Sequence, residues 1–429
     1  MRVRNTRSIS SDSRARIRRR VLLLLAFMLV CALATSIRSR VGHAAGPSVV
    51  AFSAATYNLQ EGLTFKTITV LRTGDVSGPA TVDYTTANVN ASQRTDYTAA
   101  IGTLRFAATE ASKSFDVLIS EDIKLEGTET FTITLSNGTG QALLGSPSTA
   151  TVVIADDPIE TGPNPIDFND IFVGQHYHDF LARQADAPGQ LFWENQLSSC
   201  GSNTACLDDR RTNVSAAFFL SIEFQQTGYF VIRAHKGAFG SAKSIPRYLT
   251  FLPDQRRVGD GVIVGNLGWE ALLAANRQAY LEEFVSRPEF VAAFPQGLAA
   301  STYVNTVFAN EGVTPMTGER QAAINAYGTG NTLGRAAALK SVIESDSVFN
   351  TQYNPAFVLM QYFGYLRRDA DDSPDNNFNG YDFWLAKMNQ FSVPGENVRD
   401  DAVALNRVKR ADMVKSFIVS GEYRGRFGL

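Results

Sequence analysis

The chain has 429 residues, 44% of them hydrophobic, so it is long enough for two or three domains with real cores and is not a disordered polymer. Its formal charge of −2 conceals an asymmetry: ten of the 40 basic residues and only one of the 42 acidic residues precede Gly46. The remainder is therefore acidic, which argues against nucleic acid as a partner and favours cations.

Arg14, Arg16, Arg18, Arg19 and Arg20 lead into an apolar run from Val21 to Val30. That order is the charged and apolar halves of an export leader, placed here at residues 1–45. Small residues at Ala32 and Ala34, or at Ala44 and Ala45, offer cleavage points. The apolar stretch is short for the ~20 residues of a full span. An uncleaved signal anchor is the alternative, and the one route by which this sequence would engage a membrane. Val30 before Cys31 does not suit a lipoprotein site. The other two cysteines, Cys200 and Cys206, share a polar loop and are expected to form a disulfide in an oxidising compartment.

Residues 46–157 are rich in Thr, Val, Ile and Phe, with Gly and Asn as punctuation. Alternating apolar positions recur at Tyr57/Leu59, Ile68/Val70, Val82/Tyr84, Leu104/Phe106, Phe115/Val117/Ile119, Phe131/Ile133/Leu135 and Val152/Ile154. About seven short strands in this length predict an all-β, immunoglobulin-like sandwich. The ordered series Glu61-Gly62, Arg72 to Asp75, Val82 to Ala87, Thr95-Asp96-Tyr97, Gly102 to Phe106, Glu126 to Phe131 and Thr151 to Asp157 resembles the Calx-beta domain over its full length.

That resemblance implies calcium as cofactor, held by acidic loops at one end of the sandwich. The matching positions are Glu61, Glu121, Asp122, Glu126, Glu129, Asp156 and Asp157. Calcium takes six to eight oxygens, several from carboxylates, and crowded carboxylates repel without a cation or protons between them. The chain departs from the family pattern at Asn88, where an acid is usual, at Ser120 and at Pro158. One ion or a weak site is expected rather than a full cluster. The competing reading is that these acids only solvate loop ends.

Residues 158–167, with Pro158, Gly162, Pro163 and Pro165, read as a linker. From 168 to 429 the composition turns to Ala, Leu, Gln, Arg and aromatics, and an internal repeat appears. Phe172 to Leu181 aligns with Phe357 to Leu366, Gly189/Phe192/Trp193 with Gly380/Phe383/Trp384, and Phe218 to Phe224 with Phe417 to Tyr423. Units are placed at about 168–230, 300–350 and 355–428, the middle one degenerate, with a helical extension over 251–290. The four-residue spacings Val173/Tyr177/Leu181 and Phe172/His176/Phe180 predict a broad apolar helix face, and Phe192 with Trp193 a second buried face. Asp186 and Ser221 suit helix starts. An all-α repeat domain follows. The pattern is similar to the bacterial family called domain of unknown function 4214, which supplies no catalytic residues.

No catalytic constellation is evident. His176 and His178, two apart on one helix, are poorly placed to share a metal, and the repeat replaces them with Gln361 and Phe363. His235, in Arg-Ala-His-Lys, is expected on a solvated face, as are Asp208/Asp209 and Asp400/Asp401. The oxygen-rich loop from Asp369 to Gly380 lacks EF-hand spacing and reads as a turn insertion. Trp193 and Trp384 are expected as core anchors. The expectation is a non-enzymatic, secreted or cell-surface bacterial protein for adhesion or cell contact, meeting another protein or a surface polysaccharide. An exported hydrolase with its site in the helical part is the alternative.

Overall fold

The computed structural model describes residues 47–158 and 161–428. The leader expected at residues 1–45 lies outside them. No helix among the described residues is long and apolar enough to cross a membrane.

Nine strands among the described residues build the front half: β1 (Ser48–Phe52), β2 (Thr56–Gln60), β3 (Thr64–Gly74), β4 (Ala80–Asn88), β5 (Ile101–Phe106), β6 (Ser112–Ile119), β7 (Glu129–Thr139), β8 (Ala142–Leu144) and β9 (Thr149–Ala155). They form two sheets, β6-β3-β1-β8 and β2-β9-β7-β4-β5. Pairing is antiparallel except where β1 meets β8 and β2 meets β9. Period-two alternation sends Ile68, Val70, Val82, Phe131, Ile133 and Val152 into the space between the sheets, where all are buried. The two strands beyond the seven expected are β1 and β8. Val49 and Val50 are consecutive in β1, and β8 is three residues long, so neither shows a clear period.

A helical domain follows, and its first turn comes earlier than expected. Pro165–Asp167 is a short 3-10 helix, capped by Asn164. Asn164 is buried, and its Nδ2 donates to the carbonyls of Arg424 and Gly428 (both 3.1 Å). The end of the expected linker is thus packed against the C-terminal segment.

The aligned segments make the same contacts twice. Arg183 holds Glu223 through Nε and Nη2 at 2.6 and 2.8 Å, and Arg368 holds Glu422 at 2.6 and 2.9 Å. Ser221 and Ser420 each cap a short helix, accepting from Phe224 N and Tyr423 N. The Tyr177 hydroxyl occupies the space a Cβ on Gly189 would need, and Tyr362 does the same at Gly380. Trp193 lies 5.9 Å from Phe218 and Trp384 6.0 Å from Phe417, each partly buried against the core. Phe192 and Phe383 depart from expectation: at 54% and 59% exposure they lie outside the core. Their neighbours Trp193 and Trp384 take the inward position instead. Cys200 and Cys206 form a disulfide between helices Ala187–Ser198 and Thr204–Leu220.

His235 also corrects the sequence reading. It is buried, and its Nε2 lies 2.7 Å from Asp254 Oδ2, because helix Gly228–Phe239 runs through the core rather than along its surface. His176 and His178 are buried in helix Asn169–Leu181, and burial pushes each imidazole down to about 4. His176 bonds the Phe172 carbonyl (2.7 Å) and Ser215 Oγ (2.8 Å). The 369–380 loop has its own counter-charges: Arg247 reaches Asp369, Asp371 and Asp372, and Arg368 reaches Asp375.

Glu311 is fully buried, and burial pushes its carboxyl up to about 8 against the pull of Lys236 and Arg233. The folded state thus keeps a proton that the unfolded chain gives up near the ordinary Glu value. Stability from this group is present below that value and fades as pH rises toward about 8. Glu311→Gln, which mimics the protonated acid, is expected to leave the urea midpoint unchanged at pH 4 and to raise it progressively from pH 6 to pH 9. A lower midpoint at pH 9 would overturn this.

Candidate metal centre

The strand order brings the C-terminal ends of β2, β4, β6 and β9 and the start of β7 to one pole of the sandwich. Two connections cross this pole. The one after β4 carries Asp96, and the one after β6 carries Asp122 and Glu126. Carboxylate oxygens of these three residues lie within 4.8 Å of one another.

Asp96 is fixed by its neighbours. Tyr97 is buried with its ring stacked on Phe131 at 3.9 Å, and its hydroxyl donates to Asn88 Oδ1 (2.6 Å). Asn88 Oδ1 also accepts from Gln93 N (3.0 Å), so the residue standing in for the usual acid shapes the loop that delivers Asp96. Asp96 Oδ2 accepts from Ser92 N (2.6 Å), whereas its buried Oδ1 has no hydrogen-bond partner. Asp122 is 2% exposed, and its Oδ1 accepts from Lys124 N (2.7 Å).

The other expected residues are arranged around this group. Glu61 Oε1 accepts from Asp122 N (3.2 Å), and Asp156 Oδ2 accepts from Glu126 N and Gly127 N (3.1 and 2.6 Å). Both hold the backbone of the 121–127 loop. Glu129, at the start of β7, lies close enough to Asp96 for its carboxyl to be raised by it. Glu121 lies over Gly62. Glu61, Glu121, Glu129, Asp156 and Asp157 stand outside the three-carboxylate group.

Sequence reasoning missed Asp96. It sits mid-loop rather than at a strand end, and its signal was Thr95-Asp96-Tyr97, where an anchoring aromatic follows the acid.

Crowding sets the electrostatics. Burial, then the Asp96 charge, raises Asp122 against the pull of Lys124. Burial and the charges of Asp122 and Asp96 raise Glu126. Burial, then the neighbouring Asp96, Glu126 and Asp122 carboxylates, push Glu129 up to about 8. An all-oxygen donor set, a buried carboxylate oxygen left unbonded and mutually raised carboxyls suit a hard cation such as calcium. Asp96, Asp122 and Glu126 would hold it, with Glu129 beside them.

Both connections rest on the helical domain. Lys124 Nζ, 3.5 Å from Asp122 Oδ2, donates to the Arg426 carbonyl (3.1 Å), and Ile123 N donates to Phe427 O (3.1 Å). Arg94 Nη1 donates to Ser373 O (3.0 Å) and pairs with Asp372.

A two-sheet sandwich with carboxylates gathered from separate connections at one pole has the donor set that a cation-binding β-module needs. The Calx-beta domain family model matches residues 43–158, and this part of the chain is a Calx-beta domain. It is similar to sodium/calcium exchanger 1 of Mus musculus, 33% identical over 128 residues, which cover 26% of this chain and 13% of the exchanger. It is also similar to the extracellular matrix organizing protein FRAS1 of Mus musculus, 35% identical over 114 residues, 25% of this chain and 3% of that protein. Among solved structures, the apo-form Calx CBD1 domain is 32% identical, covering 26% of this chain and 97% of that one with a TM-score of 0.25. The chain thus spans a small part of these long relatives.

Proposed function

We propose that this protein is an exported, non-catalytic calcium-binding protein of the bacterial cell surface or matrix, working in adhesion or cell contact. The observation that carries the reading is the convergence of Asp96, Asp122 and Glu126 at one pole of the Calx-beta sandwich. Calcium at that pole stiffens the two connections, and the helical domain they rest on presents the binding face to a protein or surface polysaccharide. The similarity to an extracellular matrix organizing protein supports the setting. The resemblance of residues 168–428 to domain of unknown function 4214 supports the same architecture.

Calcium is expected to raise the melting temperature of the full chain. One-site linkage gives about 2.7 kcal/mol at a free concentration a hundred times Kd. Differential scanning fluorimetry with calcium, magnesium and chelator measures it, and equal curves in calcium and chelator would remove the calcium claim. Recovery of the protein solely from the cytoplasm, with Cys200 and Cys206 reduced, would remove the surface claim.

The hydrolase alternative rests on one observation, the His235–Asp254 contact beside a large cleft. Asp254 is also gripped by Arg287 at 2.6 and 2.9 Å, as a structural ion pair would be. Among the described residues no serine or cysteine bonds His235.

A further inference from the structure

A cleft of about 1420 Å³ runs between the sandwich and the helical domain, walled by Tyr84 and Arg105 on one side and by Arg256, Arg257, Glu283 and Arg287 on the other. Helix Tyr248–Gly259, which carries Arg256 and Arg257, packs on β5. β5 is an edge strand of its sheet, and this helix covers part of it.

The arginines at this end of the cleft are unequally paired with the carboxylates that line it. Glu283 is shared by three guanidiniums: it pairs with Arg105, lies 3.3 Å from Arg287 and lies 3.8 Å from Arg257. Asp254 is committed to Arg287 and His235. Asp260 is exposed, and its charge reaches Arg257 without a salt bridge among the described residues. Arg256 hydrogen-bonds the Tyr84 hydroxyl and forms no salt bridge with a carboxylate among the described residues. Its Nε and Nη2 are enclosed and have no hydrogen-bond partner, as is Nε of Arg257. Burial, then the nearby Arg105, lowers the Arg257 guanidinium, as expected where like charges crowd. The bond to Tyr84 leaves these Arg256 donors unmade, and enclosed donors are costly to leave unmade.

We propose that this cleft is a second ligand site, separate from the acidic pole, taking an oxyanion, a carboxylate or a phosphate group, on Arg256 and Arg257. A planar guanidinium fork matches either group. The cleft is larger than a single ion, so the oxyanion is one feature of a longer ligand.

The test is isothermal titration of the full chain, stripped of divalent ions, with inorganic phosphate and with succinate at matched ionic strength. At least one binds the wild type, and the stronger of the two names the source of the group. Arg256→Met is expected to weaken that binding at least about tenfold, the loss that follows from removing a charge-assisted hydrogen-bond donor. It is also expected to leave the melting temperature without ligand unchanged or higher. Arg257→Met, whose guanidinium keeps some contact with Glu283, provides a second reading of the same loss. Absence of binding by both probes, equal binding by wild type and Arg256→Met, or a lower melting temperature of Arg256→Met without ligand would each overturn the proposal.

Discussion

Asp122→Asn is expected to abolish the calcium-induced rise in melting temperature while leaving the metal-free protein at least as stable as the wild type. Asp122 is the most enclosed member of the three-carboxylate group, and its ionised form is opposed by burial and by Asp96. Removing its charge eases that opposition in the metal-free protein. The Asn carbonyl can still accept from Lys124 N, so the loop keeps its turn. With calcium present the same change deletes a charged oxygen donor. The affinity loss is expected to exceed the ~10–100-fold that follows loss of an outer-shell partner. A variant that keeps the wild-type shift would place the ion elsewhere.

The pH dependence has a definite sign. Glu129, raised to about 8, holds a proton at neutral pH that the unfolded chain has released. Without metal, stability from Glu129 is present below the ordinary Glu value and is lost as pH rises toward about 8. Calcium requires the ionised form, so its affinity rises over the same interval and binding releases protons. Titrations at pH 6 and pH 8 measure both effects, and equal affinity at the two values would contradict the crowding.

Asp179→Ala is expected to destabilise the helical domain by about 3–5 kcal/mol, the usual consequence of leaving buried charges without their partner. The Asp179 side chain is fully enclosed. It accepts from Arg426 Nη1 and Nη2 (both 3.0 Å), Arg367 Nε (3.1 Å) and Gln175 Nε2 (2.9 Å). Burial alone would raise its carboxyl, but Arg426 and Arg367 hold it below the ordinary value. Its stabilisation is present above the unfolded Asp value and is lost as pH falls through the folded one. Urea denaturation at neutral pH measures the loss. A change under about 1 kcal/mol would show that the two arginines find other partners. Arg426 also offers its carbonyl to Lys124 and Arg367 donates to Gln93 O (3.5 Å), so the variant is expected to weaken calcium binding as well.

Alternation over Ile68/Val70 and Phe131/Ile133/Leu135 was enough to read a sandwich, because a half-buried strand must place every second side chain inward. The caps at Asp186 and Ser221 were legible because capping is local to a few residues. The paired arginine contacts were legible only in part. Alignment named Arg183 and Arg368, but their partners Glu223 and Glu422 stand 40 and 54 residues further along. His235 was misread because its sequence neighbours are Arg233 and Lys236, both of which are themselves buried. Polar neighbours in sequence say little about a helix that lies in the core.

By itself the amino-acid order determined the class of each half and the pairing of Cys200 with Cys206, and through its Calx-beta resemblance it implied calcium for the acids of the front module. The first two follow from short-range periodicity and from a six-residue separation. Only the tertiary structure decided which acids meet. Asp96 joins Asp122 and Glu126 because Tyr97, locked against Phe131, turns its loop across the pole. It likewise decided that Arg256 lines the cleft with its Nε and Nη2 unbonded, since that depends on how helix Tyr248–Gly259 settles on β5. Contacts between distant segments depend on the packing of two cores, and no local pattern encodes them.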